Sequence, residues 1–302
     1  MFNLNLTPKF LISLLLVLSL GFFACTNPRY INSPSVHNAA FLKQQGDFKF
    51  SVAGAANPVA MLNKVDDVSD DETLDHSYGF DGQAAVAVTD HFMLTASAMV
   101  RNEKDKYNED DLSNTGNNTL VSYKRSMVDI GAGFYSTIGE SKKVYFNGVA
   151  GVGFGKMSST DNAAPYNAER HRKYEANTMK YFLHPSFNFF FSDYLRMSVA
   201  PRFSLLKLNN IKTSYTEDEE LKLGYYYARS KTFGLFEPAI LLQAGFKNND
   251  WLKLDMGFNF SSDPFTSGTP DKYGNPDVDH YNVQSRNFLF SLGLSFYPQV
   301  RK

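Results

Sequence analysis

The stretch Trp251–Ser261 constrains this chain more than any other. Every second residue in it (Leu252, Leu254, Met256, Phe258, Phe260) is large and apolar, while those between (Lys253, Asp255, Gly257, Asn259, Ser261) are charged, small or polar. Successive side chains of a strand point to opposite faces, so one face is greasy and the other wet. Asn287–Tyr297 repeats the pattern. About ten such residues, tilted, cross the hydrocarbon core of a bilayer. Repeated along most of the chain, this pattern predicts an all-β fold: an antiparallel transmembrane β-barrel.

The composition agrees. A mean hydropathy of -0.31 looks soluble, but luminal faces and outer loops dilute the apolar band of a barrel. Aromatic residues make up 15% of the chain, as membrane-facing strands and interfacial girdles require. Acidic and basic residues nearly cancel to a net charge of -1, which gives nucleic-acid binding no electrostatic support. The single cysteine, Cys25, excludes an intramolecular disulfide and a cysteine-rich metal site.

Cys25 also ends an apolar run. Lys9 precedes residues 10–23, and Ala24-Cys25 follows them. A basic start, a short apolar core and a small residue describe a secretory signal peptide over residues 1–24. A cysteine directly after such a core resembles the lipobox of bacterial lipoproteins and implies an acylated Cys25. Residues 25–45 contain two prolines, Pro28 and Pro34, and no clear periodicity. They are expected to form an extended, lipid-anchored tether, with the barrel over 46–302.

Strands are expected near 47–57, 78–89, 91–101, 122–138, 143–157, 175–192, 194–212, 228–247, 251–262 and 283–297. That is about ten, an even number, as bacterial single-chain barrels have. Short turns alternate with long polar segments at 58–77, 102–121, 158–174, 213–227 and 263–282. Outer-membrane barrels have short periplasmic turns and long outer loops, so both termini are expected on the periplasmic side. The face assignment follows from character. Phe187, Phe189, Phe191, Ile240, Leu242 and Phe246 suit lipid, whereas Gln83, Ala85, Ala87, Asp129, Gly131 and Gly133 suit a narrow lumen.

Gly293-Leu-Ser-Phe296-Tyr297 resembles the terminal signal by which outer-membrane barrels are recognised for assembly. Cys25, the segment from Pro28 to Asn38 and Gly46-Asp47 resemble the start of Bacteroidetes outer-membrane lipoprotein barrels, most of them of unassigned function. The resemblance implies fold and a lipid-anchored place in a Gram-negative outer membrane, and carries no catalytic residues.

Pro185, Pro201 and Pro238 interrupt three neighbouring strands, and Pro185 and Pro201 are equidistant from the turn at Asp193. Proline removes a ladder hydrogen bond. By alternation the prolines face lipid, leaving His184, Arg202 and Glu237 on the luminal face, with Arg196, Lys180 and Asp129 extending the set. This cluster reads as a salt-bridge network filling a narrow barrel, or as a charged belt at a bulge that opens the wall. Asp279-His280 and Glu169-Arg170-His171 fall in outer loops without any recognised catalytic spacing. The acidic runs Asp66-Asp67, Asp70-Asp71-Glu72, Glu109-Asp110-Asp111 and Glu217–Glu220 read as solvated loop surface, and Tyr225–Tyr227 as an interfacial girdle.

The expected role is therefore structural or interactive and non-enzymatic, an accessory subunit of an envelope complex being one form. A narrow channel or transporter for small or amphipathic molecules is the alternative, and an outer-membrane hydrolase ranks last. No catalytic residue, metal or cofactor is assigned. The expected contacts are outer-membrane lipid and other envelope proteins.

Overall fold

The computed structural model describes residues 29–57, 76–107, 119–141, 143–163, 171–192, 194–246, 249–262 and 283–298. Ten antiparallel strands close into a barrel: β2 (Phe48–Ala56), β3 (His76–Ala87), β4 (Phe92–Tyr107), β5 (Thr119–Ile138), β6 (Val144–Ala163), β7 (His171–Phe190), β8 (Leu195–Thr213), β9 (Thr232–Phe246), β10 (Asn249–Phe260) and β12 (Phe288–Phe296). Closure is made by β12 on β2, with Phe290 opposite Ala56 and Phe296 opposite Phe50. Two short strands, β1 (Arg29–Asn32) and β11 (Val283–Ser285), form a separate parallel pair. No helix among the described residues is long and apolar enough to cross a membrane. The wall is what crosses.

Side-chain alternation orients that wall as expected. Phe80, Val128, Ile130, Phe134, Phe154, Leu183, Phe187 and Phe203 stand exposed on the outside. Lys49, Gln83, Asp129, Lys180, Lys253, Asn259 and Ser295, on the other face, are buried. A continuous exposed belt of large apolar side chains around a buried polar interior is the inverse of a water-soluble barrel. Closure leaves no strand edge unpaired in hydrocarbon. The chain is an outer-membrane-type β-barrel.

The short turns are locally encoded. The Thr89 hydroxyl accepts from the backbone N–H of Phe92 (3.0 Å), and the Ser192 hydroxyl from that of Leu195 (3.0 Å). Gly46 and Gly139 occupy the left-handed region (φ 86° and 75°), where a Cβ would be strained. Strand ends match expectation to within a few residues on this side. On the long-loop side several strands run further than the alternation suggested: β4 to 107, β5 from 119 and β6 to 163. Beyond the apolar belt both faces are polar, so the contrast that marks a strand in sequence disappears.

Two regions differ from the expectation. Residues 213–227, read as loop, contain helix α1 (Glu217–Leu223) and a single turn α2 (Tyr225–Ala228). Thr216 caps α1 by a reciprocal capping box with Glu219, and Gly224 ends it in the left-handed region, as helix-capping chemistry requires. The acidic run Glu217–Glu220 is therefore the first turn of a helix. The larger difference lies at the start. Residues 29–42, read as a tether, are buried inside the barrel almost throughout. β1 pairs with β11 at the long-loop end, whereas Gly46 and Asp47 hydrogen-bond Ala87 at the short-turn end. The segment thus threads the lumen from end to end. Residue 29 lies on the long-loop side, opposite to the side expected for the N-terminal end, while Tyr297 lies on the short-turn side, where its N–H bonds the Trp251 carbonyl.

Candidate functional site

The lumen is where polar chemistry is concentrated. In its middle layer β8 and β9 place Arg202 directly opposite Glu237. The Arg202 Nε donates to Glu237 Oε2 (2.9 Å), to which the Ser204 hydroxyl also donates (2.6 Å). Arg202 Nη1 lies 3.7 Å from Asp129, and the Lys180 ammonium 3.0 Å from the same carboxylate. All five side chains are buried. Two carboxylates shared between two cations and a hydroxyl offset the cost of removing these charges from water. Gly153 makes the arrangement possible: a Cβ there would stand 2.1 Å from an Asp129 carboxylate oxygen.

Of the six residues singled out in sequence, this layer gathers His184, Arg202, Glu237, Asp129 and Lys180. Arg196 lies elsewhere. Its guanidinium sits near the short-turn end, over the rings of Phe190 (5.0 Å) and Tyr297 (5.2 Å), and donates to Gln243 (3.3 Å). Alternation put it on the right face, but six strand residues separate it from Arg202, about 20 Å along β8.

The prolines line up as expected. Pro201 pairs with Pro238. The β7–β8 register is the same on both sides of the gap (Leu183 with Phe203, Phe187 with Val199), which sets Pro185 opposite Pro201. The bulge imagined there is absent, because the register does not shift at that height. The ladder lapses instead. At this height the Ala200 carbonyl bonds the Nδ1 of His37, whose ring meets His184 edge to face at 4.9 Å.

His37 belongs to the threaded segment, and so do most partners the sequence did not supply. Ser35 accepts from Arg202 (2.8 Å). The Val36 N–H donates to Asp81 (3.0 Å), and Gln83 donates to the Val36 carbonyl (2.7 Å). The Lys49 ammonium donates to the Ala39 carbonyl (2.8 Å), and Asn259 accepts from the His37 N–H (3.2 Å). One signal could have exposed this role. No Lys, Arg, Asp or Glu occurs from Tyr30 to Leu42, whereas a solvated tether is ordinarily charged or polar.

Nearer the long-loop end a second layer closes the lumen. Arg101 pairs with Asp81 (2.5 Å) and donates to the Pro34 carbonyl (3.2 Å). Glu103 receives the hydroxyls of Ser33 and Ser77 (both 2.8 Å) and the guanidinium groups of Arg125 and Arg286. Arg29 pairs with Asp161 (3.2 Å). Above them Tyr225 of α2 stacks on Tyr174 (4.2 Å) and bonds Ser159 (2.9 Å). Tyr225 is therefore part of a lid over the lumen, not of a membrane girdle. Burial pushes the hydroxyls of Tyr215 and Tyr225 above the ordinary phenol range. In the described lumen a cavity of about 20 Å³, bounded by His37, Phe41, Lys49 and Asp255, has room for about one water.

Asp279, His280, Glu169 and Arg170 lie outside the described residues, as do the acidic runs at 66–72 and 109–111. His171 is exposed and bonded to Asn162 (2.6 Å). Among the described residues no group of three or more His, Cys, Asp or Glu side chains could hold a metal ion. Chemically, the site is a set of buried ion pairs that grip a peptide segment.

No protein-family model matches the chain, and no curated protein does. Solved structures similar to it are outer-membrane proteins. The outer membrane protease OmpT from Escherichia coli has a TM-score of 0.44 at 9% identity, covering 84% of this chain and 94% of that one. The translocator domain of the autotransporter NalP from Neisseria meningitidis has 0.44 at 12%, covering 86% and 90%. The attachment invasion locus protein Ail of Yersinia pestis has 0.31 at 16%, covering 56% and 92%.

Proposed function

We propose that this barrel is a plugged, non-enzymatic membrane module with a structural or interaction role, as an accessory subunit of an envelope complex would have. The observation that carries the reading is the lumen filled by residues 29–42 and gripped by wall side chains in successive layers. A barrel of about ten strands has an interior that its own side chains can fill. The protein is refolded into salt-loaded vesicles and ion release is followed. Retention of the load supports the sealed module, and rapid release supports the channel alternative.

One observation favours that alternative in a restricted form. Between Ser33 and Leu42 the segment belongs to no strand and is held by wall side chains. It could therefore leave the lumen without breaking the barrel ladders, which would make the protein a gated narrow channel.

We further infer that Cys25 is acylated, as its place after an apolar core suggests. Four residues of extended chain reach at most about 14 Å, so the position of Arg29 supports an anchor on the long-loop side, with other envelope proteins meeting the module there. Radiolabelled palmitate should enter the wild type and not Cys25→Ser. Equal labelling of both would sink the acylation, and periplasmic protection of the labelled end would sink its side.

A further inference from the structure

The outer wall carries a second feature, unrelated to the plug. Where β4 to β8 rise beyond the apolar belt, their outward faces bound a groove of about 920 Å³. Lys124, Lys156 and Lys212 stand exposed in it, and none of the three forms a salt bridge among the described residues, although Glu175 lies opposite Lys212 in register and attracts it. Register ties the groove together. Ser126, Lys156 and Asn177 lie in one row across β5, β6 and β7, and Lys124, Ser158, Glu175 and Lys212 in the next row. Glu175 is the acidic side chain in this lining, and Lys173 already holds it at 2.6 Å.

Two residues along each strand toward the belt, the surface changes character. Phe154 follows Lys156, and Val128 follows Ser126, both more than half exposed. Two strand residues are about 7 Å, so amines and donors sit directly above an apolar wall. Among the described residues the opposite end of the same strands shows no such row: Lys143 stands exposed there by itself, and Phe92, Ile138 and Leu195 are exposed apolar residues up to the turns. The asymmetry selects one leaflet, that on the long-loop side.

We propose that this groove binds the phosphate-bearing headgroup of a lipid of that leaflet, with its acyl chains lying on the belt below. Lysine ammonium groups near a membrane surface attract anionic headgroups. The hydroxyl of Ser126 and the amide of Asn177 add hydrogen-bond donors suited to phosphate oxygens. A soluble anion would use the lysines and gain nothing from the apolar wall beneath them.

The test titrates the folded, detergent-purified protein with bisphosphorylated lipid A and, in parallel, with lipid A stripped of both phosphates, reading occupancy by native mass spectrometry. Removing three surface lysine charges should weaken binding of the phosphorylated lipid by about tenfold or more. The variant is Lys124→Gln with Lys156→Gln and Lys212→Gln, its folding verified by heat-modifiable gel mobility. If it does not fold, the single change Lys156→Gln is read the same way, with a smaller expected loss. Lys143→Glu, at the other end of the wall, should leave binding unchanged. Equal binding of the dephosphorylated lipid, or no loss in the lysine variants, would overturn the proposal. Displacement of the lipid by millimolar inorganic phosphate alone would overturn it too, by making the groove a site for soluble anions.

Discussion

The barrel wall and the segment inside it are ordered by opposite means. The wall holds itself by backbone ladders: β5 and β6 pair without interruption from Thr119 opposite Ala163 to Ile138 opposite Val144. Its side chains are then free to serve lipid outside and charge inside. The segment 33–42 has no ladder; Ala39, Phe41 and Leu42 bond carbonyls within the segment, and wall side chains satisfy much of the rest of its backbone. Asp81, Gln83, Asn259, Arg101 and Lys49 each bond a main-chain group of residues 34–39. A buried peptide group must be paired somewhere, and here the polar interior of the barrel provides much of the pairing. The luminal charges that resemble a binding site in sequence are in the structure the receptor for the protein's own N-terminal segment.

That contrast can be broken most forcefully at Arg202, which touches both regions. Arg202→Ala leaves Glu237 buried with one hydroxyl partner and frees Ser35. Removing one member of a buried pair costs about 3–5 kcal/mol, and urea unfolding followed by the single tryptophan, Trp251, should register a loss of that order. A loss near zero would mean the layer is hydrated and slack. Leu183→Arg, on the exposed outer face of β7 and six residues from the Asn177 row, probes the wall alone. A charge on the lipid face near mid-membrane costs about 2–4 kcal/mol, and the segment should stay protected while the barrel loses stability.

Smaller changes separate the two regions further. Gly153→Ala drives a Cβ into the Asp129 carboxylate, and overpacking of this kind costs about 1–3 kcal/mol. Gln83→Ala removes one bond to the Val36 carbonyl, about 1 kcal/mol. Its effect should fall on the segment: in a Cys25→Ser background a cysteine at Ser35 should react faster with a thiol reagent, while the wall unfolds at nearly the same urea concentration. Unchanged labelling would show that the segment is not held through Gln83.

How much of this was legible in sequence follows from the same contrast. The wall was legible because a strand between lipid and lumen must alternate, and Leu252 to Phe260 does so without exception. The proline row was legible because Pro185 and Pro201 are equally far from one turn. Arg196 was misplaced because it was grouped by face alone, although six residues of the same strand already set it about 20 Å from Arg202. The segment was illegible because its order comes from residues distant in sequence, 222 positions away for His37 and Asn259 and 253 for Asn32 and Ser285, and local pattern cannot carry such information. Helix α1 was a missed local signal: Thr216 followed three residues later by Glu219 is a capping box, but the acidic run around it was read as solvent-exposed loop.

The central claim is that residues 29–42 close the barrel. Single-channel recording in planar bilayers tests it, comparing the full chain with a variant lacking those residues, each verified as folded by gel mobility. The full chain should be silent and the deletion should open discrete conductance steps. Steps of equal size from both proteins, or silence from a folded deletion variant, would contradict the account.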